Sequence, residues 1–493
     1  MKKILSFALS LMICLMAISC SGNDITPPST SATTTAATTA ASTTTAATTA
    51  PQEPEEKPEP LLAGFSEKDI TPKKLGVMPG GSSKNTAKKV VMPLLVNAAA
   101  FESDGNSLII VSIDILMFLN SHAELMRTKI NEATGVPKEN ILIAATHTHT
   151  GGGLDFQLYQ TPAEPETFEN TMNLAVEAAI EAWETRERAK MGYGKGELKG
   201  YSFCREAFMK NGDINTWPSK SKIDRLISEV DQSVNVIRVD DTEGNLKSLI
   251  VQYVNHPDSN TSKQGYNPDY IGNMREALKK KLGEDVTIVY LNGAQGDVNY
   301  CDYLGDGGGG RDNVGIGTAL AAKVLQINNT ITVDDEYPRI AALTNVYDAV
   351  QRHPTEENLE WGKMIMEKVK NGEKVGSLDK SFATEYTTTD YSDLGDTFKI
   401  EIQTIVLGDF AFACLPCEPF SEIGLKIKAA SPFENTVVVG LANGHHGYIT
   451  PDFVQGTSSY PARFSKYVAC AGLGTADLLI NNAVNMLSEM KND

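Results

Sequence analysis

The stretch Ile141-Leu-Ile-Ala-Ala-Thr-His-Thr-His-Thr-Gly-Gly-Gly153 joins an apolar, strand-like run to His147 and His149, two of the chain's seven histidines, and then to three consecutive glycines. Side chains two apart on an extended backbone share a face, so the pattern predicts both imidazoles on one side. These residues alone fit two readings: a site beyond a strand end, or a strand that runs out into a polar, flexible loop.

Upstream, Val90 to Glu102 and Ser107 to Asp114 read as strands joined at the hairpin signal Asp104-Gly105. His122 to Thr134 has helical spacing and stops before Gly135-Val-Pro137. Downstream, Glu166 to Arg186 is a helix by period, with Met172, Val176, Ala179, Ile180 and Trp183 on one side. Strands at Ser233 to Val239 and Ser248 to Asn255 precede a helix at Asn273 to Leu282 and a strand at Val286 to Asn292. A helix at Val314 to Ile327 and further elements to Ser488 complete a mixed α/β (α+β) pattern without internal repeat. The fold class expected is one catalytic domain, 61–493, with a mixed sheet and its site at strand-end loops.

Four strands end in polar or glycine-rich turns: Thr146 to His149, Asn255 to Asp258, Asn292 to Asp297 and Asn443 to Tyr448. Such loops converge where α/β sheets carry their sites. Together they offer imidazoles, carboxylates and a phenol, a set that a catalytic zinc uses with one position left for water. Taken singly, His256 after its strand reads as a hydrogen-bonded structural residue sooner than as a ligand, and Tyr448 as core or rim. Gly307 to Gly310 has the composition of a phosphate cradle but no following Gly-Lys-Ser/Thr, and reads as a mobile loop.

The chain has 493 residues, 41% of them hydrophobic, enough for a sizeable core. Its formal charge of −18 opposes a nucleic-acid backbone and an anionic membrane surface, which excludes nucleic acid as a partner. Lys2 and Lys3, the apolar run Ile4 to Ile18, and Ser19-Cys20 form an export signal of lipoprotein type. Residues 1–19 would be removed and Cys20 would carry lipid, giving an exported bacterial lipoprotein held to the membrane through that lipid alone. A Thr/Ala/Ser/Pro-rich segment over 20–60 is expected to be a disordered tether. Five cysteines remain in the body, Cys204, Cys301, Cys414, Cys417 and Cys470, an odd number that does not suit a disulfide framework. Cys414-Leu-Pro-Cys417 has no second pair at zinc-ribbon spacing and reads as structural.

Taken in order, Gly64 to Pro72, Ala145-Thr-His-Thr-His-Thr-Gly151, Asn255-His-Pro257, Gly293-Ala-Gln-Gly-Asp-Val-Asn299, Leu415-Pro-Cys-Glu-Pro419 and Ala442-Asn-Gly-His-His-Gly-Tyr-Ile-Thr450 resemble the segments of the neutral/alkaline, non-lysosomal ceramidase family. The resemblance implies zinc held by His147, His256, Glu418 and Tyr448. It makes His149 a substrate-facing donor, Arg205 the substrate-contacting arginine, and Tyr460 the tyrosine that assists at the scissile carbonyl. The reaction implied is hydrolysis of an N-acyl, ceramide-like amide through a zinc-activated water, with a small-molecule or lipid amide as partner.

Two departures bear on the substrate. Asn299 stands where the family carries a serine near the zinc water, and an amide is no hydroxyl nucleophile or proton relay. The chain also ends at Asp493 without the family's appended β-sandwich. Two alternatives follow: a zinc esterase or deacylase acting on a glycan or another acylated polar substrate, and a non-catalytic binding protein on the same fold. His445 and His446, next to Tyr448, are expected behind or beside the ligands rather than among them.

Overall fold

A computed structural model describes residues 58–260, 264–305 and 311–492. The export signal, Cys20, the tether as far as residue 57, and Gly307 to Gly310 lie outside the described residues.

The run Ile141–Ala145 is the edge strand of an eight-stranded mixed sheet. From the opposite edge the order is Thr287–Asn292, Leu246–Tyr253, Ser233–Asp241, Glu187–Glu197, Leu62–Asp69, Leu95–Ser103, Asn106–Ile113 and Ile141–Ala145. The outermost pair at each edge is parallel, and the pairs between are antiparallel. A second sheet runs Ile340–Val350, Thr397–Leu407, Phe410–Cys414 and Asn435–Val439, with its last pair parallel.

Side-chain alternation decides the layers. Leu142 and Ala144 join Ile405 and Phe412 in a core between the two sheets, whereas Ile141, Ile143 and Ala145 meet residues of helices Asn120–Thr134 and Pro165–Glu184 on the other face. Helices Asp269–Leu282 and Asn313–Asn328 cover the other half of that face, and Ser421–Ala430 with Thr475–Asn492 covers the outside of the second sheet. A strand buried on both faces needs a continuous apolar sequence, which is what Ile141 to Ala145 has.

The hairpin at Asp104-Gly105 forms with φ of 48° and 72°, both positive as a type I′ turn requires. Its first strand starts at Leu95 rather than Val90, because Pro93 lacks the N–H a ladder needs, and Lys89–Val90 pairs instead with Gly265–Tyr266. On helix Pro165–Glu184 the buried stripe is Phe168, Ala175, Val176, Ala178, Ala179 and Ala182, offset from the one expected; Met172, Ile180 and Trp183 are only partly buried. The helix lies so close to Gly64 that a Cβ there would sit 2.1 Å from the Ala182 carbonyl oxygen, and only small residues fit such an approach.

The strand Glu187–Glu197 has no apolar pattern to announce it. Gly192, Gly194 and Gly196 alternate along it, and a Cβ on any of them would meet the Ile327 to Thr332 segment within 2.1 to 3.1 Å. Two helices inserted in the second sheet, Glu356–Lys370 and Ser377–Thr388, bring Ser377 and Leu378 to the mouth of the site.

Candidate active site

The parallel strands deliver their carboxyl ends to one place. Ala145 N–H bonds the Leu441 carbonyl at 3.2 Å, Asn443 N–H bonds the Ile143 carbonyl at 2.7 Å, and Gly440 N–H bonds the Asn292 carbonyl at 3.1 Å. These bonds tie the two sheets together just behind a cavity of about 370 Å³. His147, His149, Arg205, His256, Glu418, Tyr448 and Tyr460 all line it.

His147 and His149 do face each other, with ring centroids 5.0 Å apart at 86°, but not by strand alternation. The strand ends at Ala145, and His147 has φ +71°, a left-handed conformation that few residues with a Cβ adopt. The turn is held by His147 N–H to the Ile115 carbonyl at 3.0 Å and by the Thr148 and Thr150 hydroxyls, each 2.7 Å from the Asn267 carbonyl. Such strain persists where surroundings over-determine it, commonly at functional sites. The glycines after it serve packing rather than substrate access. A Cβ on Gly153 would lie 2.5 Å from Glu164, one on Gly152 would crowd Pro72, and none of the three lines the cavity.

The ring nitrogens are sorted by their partners. His147 Nδ1 is 2.7 Å from the Leu116 carbonyl and His256 Nδ1 is 3.3 Å from the Gln295 carbonyl, so each ring turns its Nε2 inward with a lone pair to offer. His147 Nε2 lies 3.1 Å from Glu418 Oε2, yet both atoms are buried without a hydrogen bond. His256 Nε2 is 3.9 Å from the same oxygen and 3.1 Å from His149 Nε2. The other Glu418 oxygen, Oε1, is 3.2 Å from His445 Nε2.

Burial, together with the Arg205 charge and the neighbouring imidazoles, holds His256 well below the usual histidine range, so it is neutral. Burial alone would raise the Glu418 carboxyl, but the imidazoles against it, His147 foremost and then His445, outweigh burial and hold it well below the usual carboxylate range. Burial and the Glu418 charge push the Tyr448 hydroxyl well up, against the Arg205 cation. Arg205 is itself buried; its Nη2 donates to the Gly296 carbonyl at 2.8 Å and the Tyr448 hydroxyl at 3.0 Å.

Donors around a common zinc sit about 2.0–2.3 Å from it and therefore about 3.3 Å apart in a tetrahedron. Ligand atoms of His147, His149 and His256 all fall within 4.8 Å of one another, and the orphaned Glu418 oxygen adds a carboxylate at 3.1 Å. The residues therefore fit a divalent metal. They place the His149 nitrogen among the donors, beside the set His147, His256, Glu418 and Tyr448.

Asn299 lies apart. Its Nδ2 donates to the Tyr303 hydroxyl at 3.1 Å, its Oδ1 accepts from Cys301 N–H at 2.9 Å, and it does not line the cavity. His446 turns away from the site onto Phe398, with ring centroids 4.6 Å apart. Cys414 and Cys417 are buried free thiols. Sequence reasoning missed Gly80, Tyr159, Trp217 and Leu378 in the lining. The Pro79-Gly-Gly81 turn signalled a close approach; Tyr159 carried no signal.

Residues 61–274 match the family described as neutral/alkaline non-lysosomal ceramidase, N-terminal. The neutral ceramidase from Pseudomonas aeruginosa has a similar fold, with TM-score 0.66 and 18% identity over 88% of this chain and 75% of that one. A structure described as ceramidase complexed with C2 gives TM-score 0.64 and 18% identity over 88% and 76%. No curated protein matches the chain. The two-sheet body with its strand-end histidine cavity is a ceramidase-like fold. Over residues 61–274 the chain matches the neutral/alkaline ceramidase family, and across most of its length its fold is similar to that of a neutral ceramidase.

Proposed function

We propose that the protein is an exported, zinc-dependent amidohydrolase acting on an N-acyl, ceramide-like amide. The observation that carries this reading is the buried, unbonded pair His147 Nε2 and Glu418 Oε2, 3.1 Å apart in the lining of a cavity that also holds three more imidazoles and a buried arginine. Four groups would hold the metal, His147, His256 and Glu418 with His149 or Tyr448. Zinc, when bound, supplies Lewis acidity that acidifies water and polarises a carbonyl.

The chain's own groups supply the rest. Neutral His256 offers a lone pair, and Arg205, buried beside Tyr448, presents fixed positive charge where oxyanion charge would develop. Tyr460 lines the same wall as a phenolic donor. Leu116, Met117, Leu158 and Leu378 give the cavity apolar surface suited to an acyl chain, within the size range of small-molecule pockets. Export and tethering through Cys20 are part of the proposal and rest on the N-terminal sequence.

The test has two arms. Elemental analysis of purified protein is expected to find about one zinc per chain, lost in His147→Ala and Glu418→Gln. Turnover of a short-chain fluorescent ceramide is then measured beside N-acyl amino acids and aryl acetates. Activity confined to the acetates would replace the amide reading by the esterase one. Absence of both metal and hydrolysis would leave a binding protein.

A further inference from the structure

The Tyr159 and Tyr460 hydroxyls lie 3.1 Å apart on the cavity wall, brought together from positions 301 residues apart in the chain. Tyr159 is 7% exposed and has φ +52°, another left-handed non-glycine residue at the site. Its loop is closed by the paired backbone bonds of Leu158 and Thr161, at 3.1 and 2.9 Å, and its carbonyl accepts from Gln157 Nε2 at 2.9 Å. The ring packs edge-on against Phe382 of the inserted helix Ser377–Thr388, with centroids 5.6 Å apart. The phenol is therefore presented at a fixed place.

Tyr460 is fixed from the other side. Its N–H bonds Thr216 Oγ1 at 2.8 Å, and that hydroxyl donates to buried Glu206 at 2.6 Å. Its ring lies between Trp217 and Tyr448, with centroids 5.6 and 5.7 Å away.

Each phenol has one proton and an oxygen able to accept. Among the described residues the Tyr159 hydroxyl bonds Tyr460 alone, so its buried proton has the Tyr460 oxygen as its acceptor. Were Tyr460 the donor, the Tyr159 proton would be buried without a partner, which costs more than the bond gains. With Tyr159 donating, the Tyr460 proton is free to turn toward the cavity, and accepting a bond makes that O–H a stronger donor.

We infer that Tyr159 is a positioning residue: by donating to Tyr460 it aims the Tyr460 O–H at the place where the oxygen of a scissile carbonyl gathers charge. The substrate in this statement rests on the amide-hydrolase reading; the two-tyrosine relay rests on geometry alone. In this role Tyr159 acts through its neighbour.

The test is a double-mutant cycle on the metal-loaded protein with Tyr159→Phe, Tyr460→Phe and both. Tyr159→Phe keeps the ring, and is expected to lower kcat about tenfold, the weight of one such bond, with KM within about twofold. In the Tyr460→Phe background the same change is expected to do nothing further. In parallel, 3-fluorotyrosine is incorporated and the Tyr460 fluorine resonance, identified by its loss in Tyr460→Phe, is expected to move in Tyr159→Phe. A kcat loss that persists without the Tyr460 hydroxyl, unchanged turnover in Tyr159→Phe, or an unmoved Tyr460 resonance each overturns the inference. Should the wild-type protein turn over no amide or ester, the hydrolase reading fails separately, and the resonance alone decides the relay.

Discussion

Gly80 stands against His149 so closely that a Cβ built on it would lie 2.3 Å from the histidine's Cα and Cβ. The contact is with backbone and ring base, so His149 cannot step aside by a rotamer change alone. Gly80→Ala is expected to displace the imidazole by about 1 Å and to lower kcat about a hundredfold, the usual penalty for misplacing a reacting group by that distance. Stability is expected to fall as well, by ~1–3 kcal/mol, since Gly80 is buried and a methyl there meets the His149 backbone. Steady-state kinetics beside a melting curve checks this; wild-type kcat in a folded Gly80→Ala protein would show that His149 is not needed where it stands.

Glu385 is a buried carboxyl on the inserted helix, accepting from Ser465 Oγ and Lys466 N–H, both at 2.7 Å. Burial is the largest influence and pushes it up to about 7, against those two bonds and the Lys466 charge. In an unfolded chain it titrates near 4.5. A raised folded value means its favourable contribution is complete below about pH 4.5 and fades as pH rises to about 7, where the folded state must bury the charge. Glu385→Gln keeps the shape, with Oε1 for Lys466 N–H and Nε2 for the serine oxygen. It is expected to stabilise the protein by about 1–3 kcal/mol at pH 8 and by almost nothing at pH 4.5. Urea denaturation at both pH values reads this, and an equal effect at both would refute the titration.

Much of this architecture was legible in the sequence because it depends on local rules. Asp104-Gly105 fixes a I′ hairpin, Gly135-Val-Pro137 ends a helix, and polar turns after apolar runs mark strand ends. What escaped depends on neighbours distant in the chain. The glycine-rich strand Glu187–Glu197 is a strand because Ile327 and Ile331 fill the space its missing side chains leave. The strand Phe410–Cys414 is buried on both faces between two partners. In the site, His147 and His149 were found as a pair, but the reason for their convergence is a left-handed turn pinned by Asn267, which no period reveals. Tyr159 is brought to Tyr460 by the loop Gln157 to Thr161 and by Phe382, and its own sequence context is unremarked.

Arg205 separates charge from geometry. Its guanidinium balances Tyr448, Asp258, Glu206 and Glu418, which raise its affinity for a proton against the effect of burial. The same Nη2 bonds Gly296 and Tyr448. Arg205→Lys keeps the cation and loses the reach, so kcat/KM is expected to fall about a hundredfold with a modest drop in Tm. Arg205→Ala leaves buried carboxylates uncompensated and is expected to cost a further ~3 kcal/mol or more. Equal melting temperatures for the two variants would show that the charge is not what stabilises this wall.

Asn299 was the residue that set this chain apart from the ceramidase pattern, and the structure gives it a different task. Its amide closes the turn to Cys301 and holds the Tyr303 hydroxyl, using a donor and an acceptor at once, while the cavity lining passes it by. A serine has a shorter side chain and cannot span both partners in this place. Asn299→Ser is therefore expected to leave amide turnover unchanged within about twofold and to lower stability by ~1–2 kcal/mol through the lost bonds. Ceramide hydrolysis and urea denaturation on the same preparation read both quantities. A clear rise in turnover would mean that a hydroxyl at position 299 does reach the reacting centre, and that the Tyr303 contact gives way to let it.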